Sequence, residues 1–339
     1  MNARHTLDVA LMRGGTSRGA VLPIEAAPTP GPRRDELARS LIGGVLVDGL
    51  GGGSPTTSKV VLVGKGTDVD FDYIVGNVAA DASVVDWSGT CGNMTAAVVP
   101  YAAMAGLLSD NARTRYRLRN LATQRPVDIE VHDPRSLQRP GNEVGLTTTY
   151  LEPGGAVLGK TLPTAQPVDL LEVDGATVKT TIVDVAHPYL FVRFKDALGD
   201  TDVSSPEAAE RIERIRSAAC VRLGLSASAE EARYSSAAVP RIVLLHQDSA
   251  PADVRITAIS MGQPIRSVPV TAAMCLAAAR QIAGTLVAGP DTGSGDTETR
   301  VIGPAGEVRA RAETDRSGHV LSTSVRRDAR CIMRGTVWA

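Results

Sequence analysis

Three short stretches hold the side chains best suited to gripping an anion and moving a proton: Arg13-Gly14-Gly15-Thr16-Ser17-Arg18-Gly19, Thr56-Thr57-Ser58-Lys59 and Thr90-Cys91-Gly92-Asn93. Cys91 precedes a run of Ala, Val, Tyr and Met that reads as a buried helix. Unpaired backbone N–H groups at a helix start make a thiol a candidate for chemistry. Gly92 lets a ligand approach the backbone closely, and Asn93 can either cap the helix or hold a substrate oxygen. The same cysteine also reads as a small packed residue, since free Cys is among the most buried types.

The first stretch places three glycines, two hydroxyls and two guanidinium groups within seven residues. Arginine binds carboxylates bidentately and glycine frees backbone N–H groups, so the stretch can cradle a carboxylate or a phosphate. Its spacing is neither a Walker loop nor GxGxxG, and a plain turn with solvated arginines is the competing reading. Lys59 opens an all-apolar run at 60–63. A lysine at the lip of a buried strand is partly desolvated, which disfavours an ammonium and suits a base. The alternative is a surface lysine at a strand end.

These residues need a scaffold, and the chain has the length for one. At a prior of roughly 150 residues per domain, 339 residues suggest two domains. The aromatic share is only 3%, so Ala, Val and Gly carry the packing. With 36 basic and 37 acidic residues, nothing in the overall charge recruits nucleic acid or an anionic membrane. Residues 1–13 contain no uninterrupted apolar h-region of a leader, and nowhere do about 18 apolar residues follow one another. Cys91, Cys220, Cys275 and Cys331 are too far apart for a CxxC motif and read as reduced thiols. A cytoplasmic protein is expected.

Apolar patterning predicts strands at 7–12, 20–24, 60–63, 70–75 and 83–86, a helix at 35–47 and a long helix at 94–108, then paired strands at 116–120 and 127–131. Two Pro/Gly-rich loops at 132–142 and 152–167 precede a division near 180. From 181 the plan repeats: strands at 181–185 and 189–194, a helix at 206–223 capped by Ser205, strands at 241–246 and 254–260, an Ala-rich helix from 269 to 287, and strands at 299–302 and 307–312. The helix ends match, Ala105-Gly106 against Ala283-Gly284, so an internal duplication is expected. The reading is two like-built domains, 1–180 and 181–339, about a pseudo-twofold axis with a site between them. In this alignment Cys91 falls opposite Pro269 or Val270, neither of which carries a proton. A symmetric two-thiol mechanism is therefore disfavoured, and Lys59 is the best-placed second group.

Taken together, Met12 to Gly19, Gly51-Gly52-Gly53 with Thr57-Ser58-Lys59-Val60, Asp86 with Cys91-Gly92-Asn93, Ser260-Met261-Gly262, Thr271-Ala272-Ala273-Met274-Cys275 and Arg327-Asp328-Ala329-Arg330 with Met333 and Gly335 resemble the PrpF family of methylaconitate cis-trans isomerases. The resemblance is collinear over essentially the whole chain. It implies an α+β, diaminopimelate epimerase-like fold: two pseudo-symmetric domains, each a curved, mostly antiparallel sheet around a central helix. It implies isomerisation of small unsaturated di- or tricarboxylic acids with neither metal nor organic cofactor. Lys59 and Cys91 would be catalytic. Arg13, Gly14, Thr16, Ser17, Arg18, Ser58, Gly92, Asn93, Met261, Gly262 and Thr271 would meet the substrate. A homodimer is left open.

The chain departs from the family pattern at Ile265, at His187 before Pro188, and at Gly303-Pro304-Ala305-Gly306. Those positions change polar contacts in the second half and leave the proton-transfer residues intact. Alternatives to a cis-trans or double-bond-shifting isomerase are a keto-enol tautomerase of the oxalomesaconate type and a non-catalytic accessory protein for an aconitase-like partner. His5, His132, His187, His246 and His319 have no ligand spacing between them. Chelator treatment of the active protein should therefore leave its rate unchanged, and stoichiometric metal whose removal abolishes the rate would contradict this.

Overall fold

The protein is described by a computed structural model covering residues 6–43, 48–79, 84–88, 91–109, 112–236, 239–246, 253–260, 262–289, 295–316 and 318–338, with the backbone alone at 260 and 295–297. Two compact units emerge, Met1–Leu151 with Arg326–Ala339, and Glu152–Val325.

In the first unit, β1 (Thr6–Gly14) and β2 (Ser17–Pro23) form an antiparallel hairpin. Then α1 (Pro32–Ile42) starts with proline in its first turn and stops at Gly43, whose φ of 82° suits a residue without a Cβ. Its Ala38, Leu41 and Ile42 share a core with Leu22 of β2 and with Val60 and Leu62 of β3 (Lys59–Lys65). β3 lies parallel to β2 and is buried through Gly64. A Val-rich run covered on both faces gives that pattern. β4 (Phe71–Val78) is antiparallel to β3 and to β5 (Val85–Asp86), and parallel to β6 (Arg115–Asn120). β7 (Pro126–Val131) and β8 (Val144–Leu151) complete an antiparallel meander.

Between β5 and β6 the expected single helix is two: α2 (Gly92–Thr95) and α3 (Val98–Met104). Pro100 lacks the N–H that a continuous helix would bond to the carbonyl of Ala96. The helix restarts so that the proline falls in the first turn of α3, where that N–H is not needed.

The second unit runs β9 (Asp169–Val173), β10 (Ala176–Val185), β11 (His187–Arg193), α4 (Phe194–Leu198), α5 (Pro206–Arg222), α6 (Ala229–Ser235), β12 (Arg241–Leu245), β13 (Asp253–Ser260), β14 (Gln263–Ile265), α7 (Val270–Ala279), β15 (Gly295–Gly303), β16 (Gly306–Thr314) and the start of β17 (Val320–Trp338). Ser205 caps α5, its Oγ accepting from the Ala208 N–H at 3.2 Å. Ala208, Ile212, Ile215 and Ala219 of α5 recur at helical spacing and pack on Leu171, Ile182, Leu190 and Ile242. All ten residues of α7 are buried. Among the described residues no helix is long and apolar enough to cross a membrane.

One pairing scheme appears in both units. β1–β2 is antiparallel, β2–β3 parallel, β3–β4 antiparallel, β4 antiparallel to β5 and parallel to β6, and β6–β7–β8 antiparallel. From β10 to β17 the same senses follow in the same order. The repeat read from the sequence is thus a repeated strand order, with α2 and α3 answering to α7, Cys91 to Pro269 as the residue before the helix, and Lys59 to Arg241 as the first residue of its strand.

The division falls at Leu151, not near residue 180, and residues from Arg326 return to the first unit. β10 runs unbroken through Thr180 between β9 and β11, so a boundary there would cut a paired strand. The end of β17 instead pairs with β1 from Gly14↔Ala329 to Thr6↔Trp338. A chain ending at Val325 should therefore unfold at a clearly lower temperature, because β1 loses this partner. An unchanged melting curve would contradict the assignment.

Candidate active site

The glycine-rich stretch is a tight hairpin and not a seven-residue loop: β1 runs to Gly14, β2 starts at Ser17, and Arg13 stands opposite Arg18. Glycines let this hairpin press against two other segments. A Cβ on Gly14 would sit 2.1 Å from the Asn93 carbonyl oxygen, one on Gly15 2.4 Å from Asn93 Oδ1, and one on Gly19 2.6 Å from the Lys59 carbonyl oxygen. Gly15 also has φ +47°, and its N–H donates to the Asp328 carbonyl at 2.7 Å.

Asn93, only 7% exposed, caps nothing. Its Nδ2 donates to Thr16 Oγ1 at 2.9 Å and to Ser17 Oγ at 3.1 Å. Each hydroxyl oxygen accepts, which leaves its proton to be donated elsewhere. Asn93 Oδ1 is buried with no hydrogen-bond partner among the described residues.

Lys59, 9% exposed, donates from Nζ to Asn77 Oδ1 at 2.7 Å, and among the described residues it forms no ion pair. Gly19, Lys59, Asn77 and Asp86 stand opposite one another along β2, β3, β4 and β5, so they occupy one row on one face of the sheet. Ser17 and Gly19 share a face of β2 about 7 Å apart. The Asn93 amide and the Lys59 amine are therefore brought to neighbouring positions along one strand. Asp86 is turned to its own loop, its Oδ1 accepting from the Ser88 N–H at 2.9 Å and the Ser88 hydroxyl at 2.6 Å. Ser58 is buried and donates to the Ser54 carbonyl at 2.8 Å, while Thr57 donates to the Gly52 carbonyl at 2.8 Å. These hydroxyls shape the loop before Lys59.

Cys91 is half-buried immediately before α2, and Gly92 is buried as its first residue. The Cys91 carbonyl accepts from the Thr95 N–H at 2.9 Å and the Thr95 hydroxyl at 3.1 Å. Thr95 Oγ1 in turn bonds the buried hydroxyls of Tyr150 and Tyr73, each at 3.0 Å. This network sets the backbone below the thiol.

The two arginines of the hairpin differ. Arg13 pairs with Asp328 and with Glu143 at 2.7 Å, and bonds the Gly15 carbonyl at 3.0 Å, so it braces the turn. Arg18 anchors through its N–H to the Thr56 carbonyl at 2.8 Å, and its Nε is buried without a partner among the described residues. Sequence reasoning missed Asn77, the Thr95 network and Arg327 as parts of this region. Arg327 lay in a stretch already singled out, and Thr95 in the helix expected at 94–108. Its Cδ would be 3.0 Å from a Cβ on Gly15, and burial lowers its guanidinium to about 10 against the opposing pull of Asp328 and Tyr150.

In the second unit, Met261 lies outside the described residues. Gly262 takes φ +74° at the β13–β14 turn, and Thr271 is 3% exposed with its hydroxyl 2.8 Å from the Tyr189 hydroxyl. Of the departures from the family pattern, His187 is buried at the start of β11, Ile265 ends β14, and Gly303 pairs with Gly306 across the β15–β16 turn. No group of three His, Cys, Asp or Glu suited to a metal occurs among the described residues.

The duplicated strand order has solved counterparts. A hydroxyproline epimerase from Agrobacterium vitis superposes with a TM-score of 0.63 at 13% identity, covering 99% of this chain and 92% of that one, and shows the epimerase-type fold alone. Methylitaconate-delta-isomerase is closer, with a TM-score of 0.77 at 29% identity over 100% of this chain and 96% of that one. The class is thus a sheet-rich, epimerase-type fold. Within it the chain belongs to the PrpF family, whose profile, described as PrpF protein, matches residues 4–339. The 2-methyl-aconitate isomerase of Shewanella oneidensis is 32% identical over 96% of this chain and 95% of its own length.

Burial pushes the thiols of Cys220, Cys275 and Cys331 up, which slows their alkylation. Sub-stoichiometric iodoacetamide at neutral pH should label Cys91 first, and peptide mapping that finds another cysteine ahead of it would mark Cys91 as packing.

Proposed function

We propose that this chain is a cofactor-independent isomerase of small unsaturated di- or tricarboxylic acids that moves a proton along an allylic carboxylate system, so that a double bond migrates or changes its cis-trans geometry. The observation that carries the reading is Lys59. It is a nearly buried amine held by the neutral Asn77 amide, beside the hairpin whose Thr16 and Ser17 hydroxyls are oriented by Asn93. The activities named for its relatives, methylitaconate and 2-methyl-aconitate isomerisation, support it.

A proton next to a carbon–carbon double bond and a carboxylate is moderately acidic, because the charge left on its removal spreads over both groups. Lys59 takes that proton and returns it at the other end of the allylic system. The hydroxyls of Thr16 and Ser17 hold a carboxylate and donate to it as charge develops. Arg13 serves that site through the turn it braces. The equivalent strand of the second unit begins with Arg241 and the equivalent helix follows Pro269, and neither residue type is a base at neutral pH. One base acting on one face is enough, since neither reaction inverts a single carbon. Cys91 then positions substrate or assists. The same reading takes the two units as like-built halves, each with a helix inside a curved sheet, and the complete burial of α7 supports it.

The test is isomer conversion of trans-aconitate, 2-methylaconitate and oxalomesaconate, followed in the vinyl region by proton NMR. Lys59→Ala should lose about 10²–10⁴ in turnover, whereas Cys91→Ser should keep a measurable fraction. Most of the activity surviving in Lys59→Ala, or Cys91→Ser being the less active variant, would overturn the assignment of roles.

A further inference from the structure

We infer that Arg327 binds a second carboxylate of the substrate, at the turn end of the β1–β2 hairpin, making this a site for acids with at least two carboxylates. The inference rests on the reading above for the reaction but not for the binding. Three observations meet at the turn.

Arg327 and Asn93 flank Gly15, since a Cβ placed on that glycine would lie 3.0 Å from Arg327 Cδ and 2.4 Å from Asn93 Oδ1. Glycine is what allows both side chains to close on the turn. Among the described residues Arg327 Nε is buried without a partner, and its Nη1 donates to the Arg326 carbonyl at 2.9 Å. The carboxylate next to it in the chain, Asp328, is paired with Arg13. Among the described residues Arg327 forms no ion pair.

A more deeply buried arginine is treated quite differently. Arg216, 5% exposed, is gripped by Glu213 through Nε at 2.8 Å and Nη2 at 2.6 Å, and bonds the Ser236 and Ala232 carbonyls besides. A partly buried guanidinium whose Nε is shut off from water and from any anion is costly, so a fold that retains one beside a hydroxyl-lined turn is matched to an anionic ligand. Burial lowers the guanidinium to about 10, which still leaves it charged at neutral pH. Lys59 stands beside Gly19 and Asn93 reaches Ser17, about 7 Å away along β2. A carboxylate on Arg327 at the turn therefore leaves the reacting carbon chain to extend along β2 to the amine.

Tricarballylate, a saturated tricarboxylate with no double bond to move, separates binding from turnover. Calorimetry on the whole chain should show it binding the wild type, at least tenfold more weakly to Arg327→Gln, at intermediate strength to Arg327→Lys, and unchanged to Arg326→Gln, an exposed neighbour. For the wild type, affinity should fall from tricarballylate to glutarate to butyrate, an arm that needs no variant to fold. Folded Arg327→Gln binding tricarballylate as tightly as wild type, or equal affinity for all three acids, overturns the inference. Tight, Arg327-dependent binding with no conversion of any unsaturated acid would sink the isomerase reading and leave this one standing.

Discussion

The close approach of the β1–β2 hairpin to the backbone at Asn93 and Lys59 is the constraint on which the site depends. Side chains at positions 14, 15 or 19 would meet main-chain or amide oxygens at 2.1–2.6 Å, so only glycine lets the hairpin seat. Once seated, it fixes Asn93 by two hydrogen bonds and puts the start of β3 alongside Gly19. Arg13 then locks the turn to β17 through Asp328, and Gly15 bonds the Asp328 carbonyl. Positioning thus comes from backbone contact and short polar side chains on strands, which is the stiffest arrangement available to a small site.

The duplication gives the fold, and its failure at two positions supports the proposed chemistry. Both units follow one strand order, yet the two positions that carry titratable groups in the first unit, Lys59 and Cys91, are Arg241 and Pro269 in the second. An enzyme with matched acids and bases can invert a carbon. Here Lys59 is the buried amine of β3, which suits the proposed proton movement along a delocalised anion.

Much of this was legible in the sequence because strand alternation, helix caps and turn chemistry are local. Ser205 capping α5, the Val-rich β3 and the β15–β16 hairpin all follow from neighbouring residues. What escaped depends on partners far along the chain. Arg13 reads as an open anion binder until Glu143 and Asp328, more than a hundred residues away, are seen to hold it. Asn93 reads as a helix cap or a substrate contact, and its hydrogen bonds to Thr16 and Ser17 carry no signal in the sequence. Asn77 carries no signal of its own, because its role comes from register with Lys59 across β3 and β4. The division near 180 failed for a related reason: strand β10 looks like an ordinary domain start until its pairing with β9 is known.

The most direct measurement of the central claim follows the proton itself. A substrate carrying deuterium at the allylic carbon, turned over once in ordinary water with enzyme in excess, reports whether the group that removes the proton also delivers it. A single base predicts that part of the label reappears at the new position in the product, diluted by the other hydrogens on the Lys59 amine. Product free of deuterium in that first turnover would contradict the account, since the proton taken from one carbon would not be the one returned to the other.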